Sequence, residues 1–221
     1  MYVSILIPTF NRRRFSELIT HNILNQTYPF VKEVIVADDG YDDERLNLKL
    51  PCSVLYYKVP RMSIGDKRNF LISKATGDYL AHFDTDDFYH REYLSSSIFN
   101  LIKSGKGLSG SSDMLMLDTA NNNTYKQRCI NMDMINEATM IYTKEYAKKN
   151  KFSNKMSSEG ILFCDIKDLV ETPIENIMIC LAHQNNTVNK KQWINDKYKS
   201  AVDLTLYKRH LEILSSANIY G

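Results

Sequence analysis

Short apolar runs alternate with amphipathic segments in the first part of the chain, and this alternation restricts the fold more than any other feature. The segments at 15–25 and 64–74 carry apolar residues at helical spacing. The apolar runs, each short enough for a buried strand, lie at 3–7, 34–37, 53–59 and 79–83. Strands that alternate with helices predict an α/β fold, with an open, mostly parallel sheet flanked by helices.

Polar residues follow three of the predicted strands at the point where each ends. They are Thr9 to Asn11, Asp38 to Gly40, and Asp84 to Asp87. In an open parallel sheet, ligands bind beyond the carboxyl ends of the strands, so these three sets should meet at one edge. The sequence therefore predicts a ligand site there.

The third set contains three carboxylates, Asp84, Asp86 and Asp87, within four residues. Neighbouring carboxylates repel one another and resist leaving water, so a divalent cation is expected to neutralise them. Mg²⁺ or Mn²⁺ fits such oxygen ligands and commonly carries a phosphorylated substrate as well. The alternative is a solvated acidic turn that caps the next helix.

Composition excludes several classes of protein. With 221 residues, 43% of them hydrophobic, the chain suits one globular domain, and a net charge of +2 is too small to indicate a nucleic-acid surface. No apolar run approaches the ~20 residues of a membrane span, and the N-terminus lacks a basic leader. We therefore expect a cytoplasmic protein without a transmembrane segment. The cysteines show no Cys-x-x-Cys spacing, which disfavours a zinc or redox site.

The second half of the chain is less regular. A hairpin is predicted from 113–117 and 124–130, a loop over 105–110, and a strand at 177–181. Apolar residues at helical spacing predict a C-terminal amphipathic helix from Trp193 to Leu214.

Taken together, the strand ends resemble those of the family 2 glycosyltransferases of the GT-A fold. The blocks that carry the resemblance are Val3 to Arg12, Asn25 to Pro29, Val34 to Gly40, Gly65 to Asn69, Ala75 to Leu80, and Asp84 to Asp87. They cover about the first 100 residues, and their order makes the match far more specific than any single block. The richness in Asn and Lys is also similar to that of enzymes from large DNA viruses.

The resemblance implies a single GT-A domain over residues 1–221, with a nucleotide-sugar-binding half at 1–100 and an acceptor-binding half at 101–221. It implies inverting transfer of a sugar from a nucleotide-diphosphate sugar to a hydroxyl of a glycan, glycoprotein or glycolipid. UDP is favoured as the nucleotide by analogy, and Mn²⁺ or Mg²⁺ as the cofactor.

The resemblance also implies roles for individual residues. The donor-binding set is Thr9, Phe10, Asn11, Arg12, Asp38, Asp39, Lys67, Arg68, Asp84, Thr85 and Asp86. Asp39 is the expected partner of the uracil, and the metal ligands are expected to be Asp86, Asp84, Asp87 and His183. The alternatives are a core position for Phe10, helix capping for Asp38 or Asp39, and a solvated helix charge for Lys67 or Arg68.

His183 opens a block, residues 183–187, that resembles a His-x-x-Asn-Thr pattern found late in some of these enzymes. An imidazole is acceptable to Mn²⁺, so His183 is expected to bind the metal or to donate to a phosphate. A structural histidine is the alternative.

An inverting transfer needs a carboxylate that takes the proton of the acceptor hydroxyl. The family pattern is commonly Glu-Asp before an apolar helix, and the nearest match here is Glu159 followed by Gly160. Glu159 is therefore the predicted catalytic base, with Asp165 in reserve. A surface carboxylate without such a role is the alternative.

Two other functions stay open at this point. A catalytically inactive nucleotide-sugar or glycan binding module is supported by the glycine at position 160. A nucleotidyltransferase would normally have a glycine-rich basic loop after the first strand, whereas residues 9–15 contain three arginines and no glycine.

Overall fold

The computed structural model describes residues 1–129, 135–184, 186 and 189–217. The first part alternates as the sequence predicts, with β1 (Val3–Thr9), α1 (Ser16–Leu24), β2 (Val31–Asp38), β3 (Ser53–Lys58), α2 (Ile64–Lys74) and β4 (Tyr79–His82). The middle contains β5 (Phe88–Tyr89), α3 (Tyr93–Ser104), β6 (Leu108–Gly110), β7 (Asp113–Asp118) and β8 (Asn123–Arg128). The last part contains β9 (Ile141–Thr143), α4 (Lys144–Lys149), β10 (Leu169–Glu171), β11 (Met178–Ala182) and α5 (Lys208–Ser216).

A seven-stranded sheet in the order β10-β6-β9-β4-β1-β2-β3 forms the centre of the molecule. β1 is parallel to both β2 and β4, and only β9 runs antiparallel to its neighbours. A second sheet of four strands, in the order β5-β11-β7-β8, stands beside it. Thr9, at the end of β1, lies opposite Asp38, at the end of β2. The register therefore brings the polar residues that follow these strands to one edge of the sheet.

Both faces of the central strands are buried, which explains their continuous apolar runs. Ile5 and Ile7 pack in one core cluster with Leu18 of α1. Leu6, which points to the other face, packs in a second cluster with Leu71 of α2. Helices therefore cover both faces, and the predicted α/β fold with a mostly parallel sheet is confirmed.

Local side chains set the ends of the helices. The Ser63 hydroxyl accepts a hydrogen bond from the Asp66 amide at 3.0 Å and so caps the start of α2. α3 ends at Gly105, whose φ of 68° lies in the left-handed region that favours glycine. Among the described residues, no helix is long and apolar enough to cross a membrane.

The structure differs from the sequence prediction in two places. The predicted loop at 105–110 contains strand β6, which pairs with β9 and β10. The predicted helix from Trp193 to Leu214 is wrong over most of its length, because the α-helix begins only at Lys208. Asn195 and Asp203 accept hydrogen bonds from the amides two residues on, and these turns compete with a continuous helix.

The predicted hairpin is confirmed by the pairing of β7 with β8. Ile130, at its predicted end, lies outside the described residues.

Candidate active site

A cavity of about 520 Å³ lies beyond the carboxyl ends of β1 and β4. One wall is formed by residues that follow these strands, among them Thr9, Phe10, Arg12, Thr85 and Asp86. The second wall comes from the second half of the chain and includes Asn136, Glu137, Glu159 and Trp193, whereas Lys190 of the same half lies beside Asp87 on the first wall. The two halves of the chain thus enclose one chamber, which is large enough for a small-molecule ligand.

Asp86 is the centre of a polar cluster on the first wall. Its Oδ2 atom lies 3.2 Å from His183 Nε2, 3.3 Å from Arg12 Nη2 and 3.4 Å from Asn186 Nδ2. Burial alone would raise the pKa of Asp86, but the His183 hydrogen bond and the charges of Arg12 and Lys190 hold it well below its ordinary value. Asp86 is therefore a carboxylate at neutral pH.

Asp87 connects this cluster to strand β11. Its Oδ1 atom accepts hydrogen bonds from the Leu181 amide at 2.8 Å and from Lys190 Nζ at 2.9 Å. Burial raises the pKa of Asp87 to about 6, although Lys190 opposes the shift. The contact places the Lys190 ammonium at the cavity wall, next to the acidic residues.

Arg68 joins the two walls from α2. Its Nη2 atom lies 3.3 Å from Asp84 Oδ1, and its Nε atom donates to Glu159 Oε1 at 2.9 Å. The Arg68 side chain is only 3% exposed. Burial would lower its pKa, but the charges of Asp84 and Glu159 raise it, so the guanidinium stays charged.

Two residues that line the cavity each have a buried polar atom without a hydrogen-bond partner in the described part of the chain. These atoms are Thr9 Oγ1 and Arg68 Nη1. Buried polar atoms are normally hydrogen-bonded. Because both residues line the cavity, a ligand bound there is a natural partner for each.

Asp39 lies below the floor of the cavity and does not line it. It pairs with Lys67, whose Nζ also donates to the Thr9 carbonyl at 2.9 Å. The second oxygen of Asp39 lies 3.3 Å from Arg61 Nη1 and accepts from the Met62 amide at 3.2 Å. The Arg61 guanidinium also lies over the Phe10 ring, 3.7 Å from its centroid.

Asp38 and Asn11 shape the adjoining loops. Asp38 accepts hydrogen bonds from the Gly40 amide at 2.8 Å and from the Tyr56 hydroxyl at 2.6 Å. Asn11 has a φ of 52° and accepts from the Tyr41 amide at 2.8 Å. A Cβ atom at Gly40 would lie 2.6 Å from the Asn11 amide nitrogen, so only glycine fits this close approach.

A second acidic pair, Glu137 and Glu159, lies on the opposite wall. Glu137 begins a short 3₁₀ helix, and its Oε1 atom accepts a hydrogen bond from the Gly160 amide at 3.1 Å. Burial and the neighbouring charge of Glu159 raise the pKa of Glu137 to about 7. Glu159 itself is engaged by Arg68.

The structure sorts the predicted site residues into two groups. Those that line the cavity are Thr9, Phe10, Arg12, Lys67, Arg68, Asp84, Thr85, Asp86, Asp87 and Glu159. Those outside its lining are Asn11, Asp38, Asp39, His183 and Asp165. His183 still reaches the site through Asp86, whereas Asp165 accepts from the Lys167 amide at 3.0 Å and caps a turn. Asn185 and Thr187 of the predicted block lie outside the described residues.

Sequence reasoning missed Glu137, Lys190 and Arg61. None of them stands in a recognisable motif, and each reaches the cavity only through tertiary packing. Asn186 was part of the quoted block at 183–187 but was not singled out, although its Nδ2 atom also lies 3.0 Å from His183 Nε2.

A metal ion has a partial set of ligands in this site. Within residues 1–129, 135–184, 186 and 189–217, no three His, Cys, Asp or Glu side chains form a group that could hold a metal. Asp86 Oδ2 and His183 Nε2, however, lie 3.2 Å apart. Two neighbouring ligands of an octahedral ion with bonds of about 2.1 Å are separated by roughly 3 Å. The pair has the spacing of two neighbouring ligands of such an ion, and the same Asp86 oxygen also lies 3.3 Å from Arg12 Nη2.

Comparisons with known proteins agree with this architecture. The model of the family described as "Glycosyl transferase family 2" matches residues 4–162. A curated relative, the poly(ribitol-phosphate) β-N-acetylglucosaminyltransferase TarS of Staphylococcus aureus, is 26% identical over 104 residues. The match covers 44% of this chain but only 18% of that protein, so the matched part spans less than a fifth of the length of this relative.

Solved structures support the fold. S. aureus TarS 1–349 in complex with UDP-GlcNAc superposes with a TM-score of 0.62 at 15% identity, covering 100% of this chain and 66% of that one. Glucosyl-3-phosphoglycerate synthase from Mycobacterium tuberculosis, in complex with Mn²⁺, UDP and glucosyl-3-phosphoglycerate, gives a TM-score of 0.57 at 14% identity, covering 99% and 80%. At such identities the likeness shows the fold alone, and it confirms the predicted GT-A fold. Because the family model also matches most of the sequence, the chain belongs to glycosyl transferase family 2.

Proposed function

We propose that this chain transfers a sugar from a nucleotide-diphosphate sugar to the hydroxyl group of an acceptor. The observation that carries the proposal is the cavity itself. Asp86, with His183 behind it at 3.2 Å, stands at one wall, and Glu137 and Glu159 stand at the other. One chamber thus offers a site for an activated phosphate and a site for proton removal.

The donor is proposed to bind along the strand ends. The Thr9 hydroxyl and Arg68 Nη1 are buried without partners and supply hydrogen-bonding groups, and the Phe10 ring supplies a surface for a base. Arg12 and Lys190 bring positive charge to the side where a diphosphate would lie. UDP is proposed as the nucleotide because two of the similar structures were determined with UDP-GlcNAc or UDP.

Asp86 and His183 are proposed to hold Mn²⁺ or Mg²⁺. The structure of the M. tuberculosis synthase contains Mn²⁺, which supports this choice of ion. When bound, such a cation would neutralise the charge that develops on the departing diphosphate. Arg12 and Lys190 would add to that neutralisation from the protein. Asp84 and Asp87 are proposed to act near the cation through Arg68 and Lys190, with which they pair.

The proposed reaction is a single displacement that inverts the anomeric carbon. The acceptor oxygen forms the new bond to that carbon while the bond to the diphosphate oxygen breaks and the diphosphate takes the electron pair. A carboxylate on the second wall, for which the sequence predicts Glu159, takes the acceptor proton. Glycans, glycoproteins and glycolipids remain the proposed acceptors, and the cytoplasmic location and the division at residue 100 remain predictions.

A catalytically inactive sugar-nucleotide binding module is the second candidate, favoured by the absence of a side chain at Gly160. It would bind the donor at the same strand ends but release no nucleoside diphosphate. A nucleotidyltransferase is not favoured, because the segment after β1 forms a 3₁₀ turn of Arg13–Phe15 without glycine.

The test is a thermal-shift panel of UDP-GlcNAc, UDP-glucose and GDP-mannose, each with Mn²⁺ or with EDTA. A ligand that binds only the folded state raises the melting temperature. We expect one donor to raise it in the presence of Mn²⁺ and EDTA to abolish the effect. The same donor should then release its nucleoside diphosphate when a polyol acceptor is added. If no donor shifts the melting temperature, the proposal is wrong.

A further inference from the structure

Glu137 is a carboxylate of the cavity wall that no sequence pattern indicated. We infer that Glu137, rather than Glu159, is the general base that takes the proton from the acceptor hydroxyl. The inference rests on the proposed sugar transfer and assigns a residue to its least determined step. Three observations carry it: the engagement of Glu159, the position of Glu137 against Gly160, and the charges around Glu137.

Glu159 is already committed to another contact. Its Oε1 atom accepts a hydrogen bond from Arg68 Nε at 2.9 Å, and its side chain is only 5% exposed. To take a proton, Glu159 would have to give up part of a buried ion pair with a guanidinium that is always charged. Glu159 is therefore better suited to hold Arg68 in place than to exchange protons with a substrate.

Glu137 fills the space that a side chain at position 160 would need. A Cβ atom at Gly160 would lie 2.7 Å from Glu137 Cγ and 3.0 Å from Glu137 Oε1. The φ of Gly160 is not in the left-handed region, so the backbone there does not itself require glycine. The Glu137 side chain, together with Met140 Cε at 3.0 Å, occupies the space that a side chain at 160 would need. The family resemblance leads us to expect an aspartate at position 160. In this chain the carboxylate at that place comes from Glu137, which belongs to another segment.

The groups that face Glu137 suit a base. Burial and the charge of Glu159 raise the pKa of Glu137 to about 7, while Arg68 and the Gly160 amide oppose the shift. The Cys129 thiol also lies near Glu137. Its burial, together with the charge of Glu137, raises the pKa of the thiol to about 11, so Cys129 is neutral at neutral pH. A base whose pKa lies near the working pH is deprotonated often enough to act and still binds the proton strongly.

The acceptor hydroxyl loses its proton to the Glu137 carboxylate as its oxygen bonds to the anomeric carbon. The bond between that carbon and the diphosphate oxygen breaks, and the electron pair leaves with the diphosphate. Glu137, now a carboxylic acid, returns the proton to water after the product departs.

The first test replaces Glu137 by Gln, which keeps the shape and an oxygen that can accept from the Gly160 amide. With the donor that gives the largest thermal shift, and with water or an added polyol as acceptor, we expect release of nucleoside diphosphate to fall by about 10²- to 10⁴-fold. The thermal shift produced by the donor with Mn²⁺ should stay unchanged. Glu145→Gln, on the first turn of α4, is the matched control and should turn over like the wild type.

The second test moves the carboxylate back to position 160. In the double variant E137A/G160D, the alanine clears the space that Glu137 occupies, and the aspartate presents a carboxylate from the neighbouring backbone. We expect it to turn over at least about tenfold faster than E137A alone, because part of the general-base contribution is restored. Circular dichroism of each variant checks that the fold is intact.

The outcomes separate this inference from the proposed function. If Glu137→Gln turns over within threefold of the wild type, or if E137A/G160D is no faster than E137A, Glu137 is not the base. If the wild-type protein binds a donor but releases no nucleoside diphosphate, the inference is wrong and the binding module is the better reading. If no donor binds at all, the proposed function itself fails.

Discussion

The two acidic groups at opposite walls of the cavity contain the same functional group in different electrostatic surroundings. Asp86 lies within 3.5 Å of Arg12, His183 and Asn186, and the His183 hydrogen bond with the charges of Arg12 and Lys190 holds its pKa well below the ordinary value. Glu137 is half-buried beside Glu159, and its pKa rises to about 7. Burial and the charges around each carboxylate, cationic at Asp86 and anionic at Glu137, therefore decide whether it stays charged or exchanges a proton.

The largest expected effect comes from the more strongly charged wall. Asp86→Asn removes the carboxylate that the proposal gives to the cation, and we expect turnover to fall on the order of 10³-fold, because charge stabilisation of the leaving group is lost. The Mn²⁺-dependent thermal shift of the donor should disappear with it. Asp42→Asn, an exposed carboxylate paired with Lys58 away from the cavity, is the control. Retention of the Mn²⁺ effect in Asp86→Asn would show that the cation is held elsewhere.

The first wall was largely predictable from the sequence. Apolar runs that end in polar residues, together with the rule for open parallel sheets, were enough to bring Thr9, Arg12 and Asp86 to one edge. Asp38, the last residue of β2, and Asp39 do not line the cavity, because their carboxylates accept hydrogen bonds from the Gly40 and Met62 amides, and their part in donor binding stays a prediction. A strand end fixes where a residue lies, whereas its neighbours decide which way its side chain points.

The second wall was not predictable from periodicity. Glu137 stands in a single 3₁₀ turn before β9, and β9 is a strand of three residues that pairs with β4 and β6. Elements this short carry no readable period, so their position depends on contacts that are distant in sequence. The sequence signal for this wall was the glycine at position 160, where the family pattern has an aspartate. It indicated a missing carboxylate but not the residue that supplies one.

The next largest effect is on the free energy of unfolding, and its direction follows from the raised pKa of Glu137. Unfolded Glu137 titrates near the ordinary value of 4.5, whereas in the folded chain its pKa is about 7. The folded state binds this proton more tightly than the unfolded state does. Glu137 therefore leaves the free energy of unfolding unchanged below pH 4.5 and lowers it progressively between pH 4.5 and pH 7. Glu137→Gln cannot ionise and should exceed the wild type in free energy of unfolding by at most about 3 kcal/mol at pH 8.

Urea unfolding of both proteins at pH 4, 6 and 8 measures this difference. The gap between variant and wild type should open between pH 4 and pH 8. A gap that is the same at all three values would mean that Glu137 does not titrate in this range and that the contrast with Asp86 is not electrostatic.

A smaller effect is expected from the pair on the second wall. Glu159→Gln removes the negative charge that raises the pKa of Glu137 and frees Arg68 to approach it. Both changes lower that pKa, so the base is deprotonated at lower pH. The acid limb of the pH-rate profile should move toward lower pH by about one unit, which corresponds to about 1.4 kcal/mol. If the acid limb does not move, Glu159 does not influence the pKa of Glu137. If turnover is lost at every pH, Glu159 is the base instead.

The smallest expected effect concerns Arg61, and it tests whether each cation of the first wall helps to bind the donor. Arg61 covers the Phe10 ring and contacts Asp39, which Lys67 and the Met62 amide already satisfy. A base that stacks on Phe10 must displace this guanidinium, and a cation over an exposed ring contributes only about 0.5–1 kcal/mol. Arg61→Ala should therefore tighten binding of UDP by up to about fivefold, measured by calorimetry with Mn²⁺ present.

Arg45→Ala, which removes a guanidinium 3.9 Å from the Tyr56 ring outside the cavity, should leave binding unchanged. Weaker binding in Arg61→Ala would mean that Arg61 holds the nucleotide in place, and the cations of this wall would then all serve the donor.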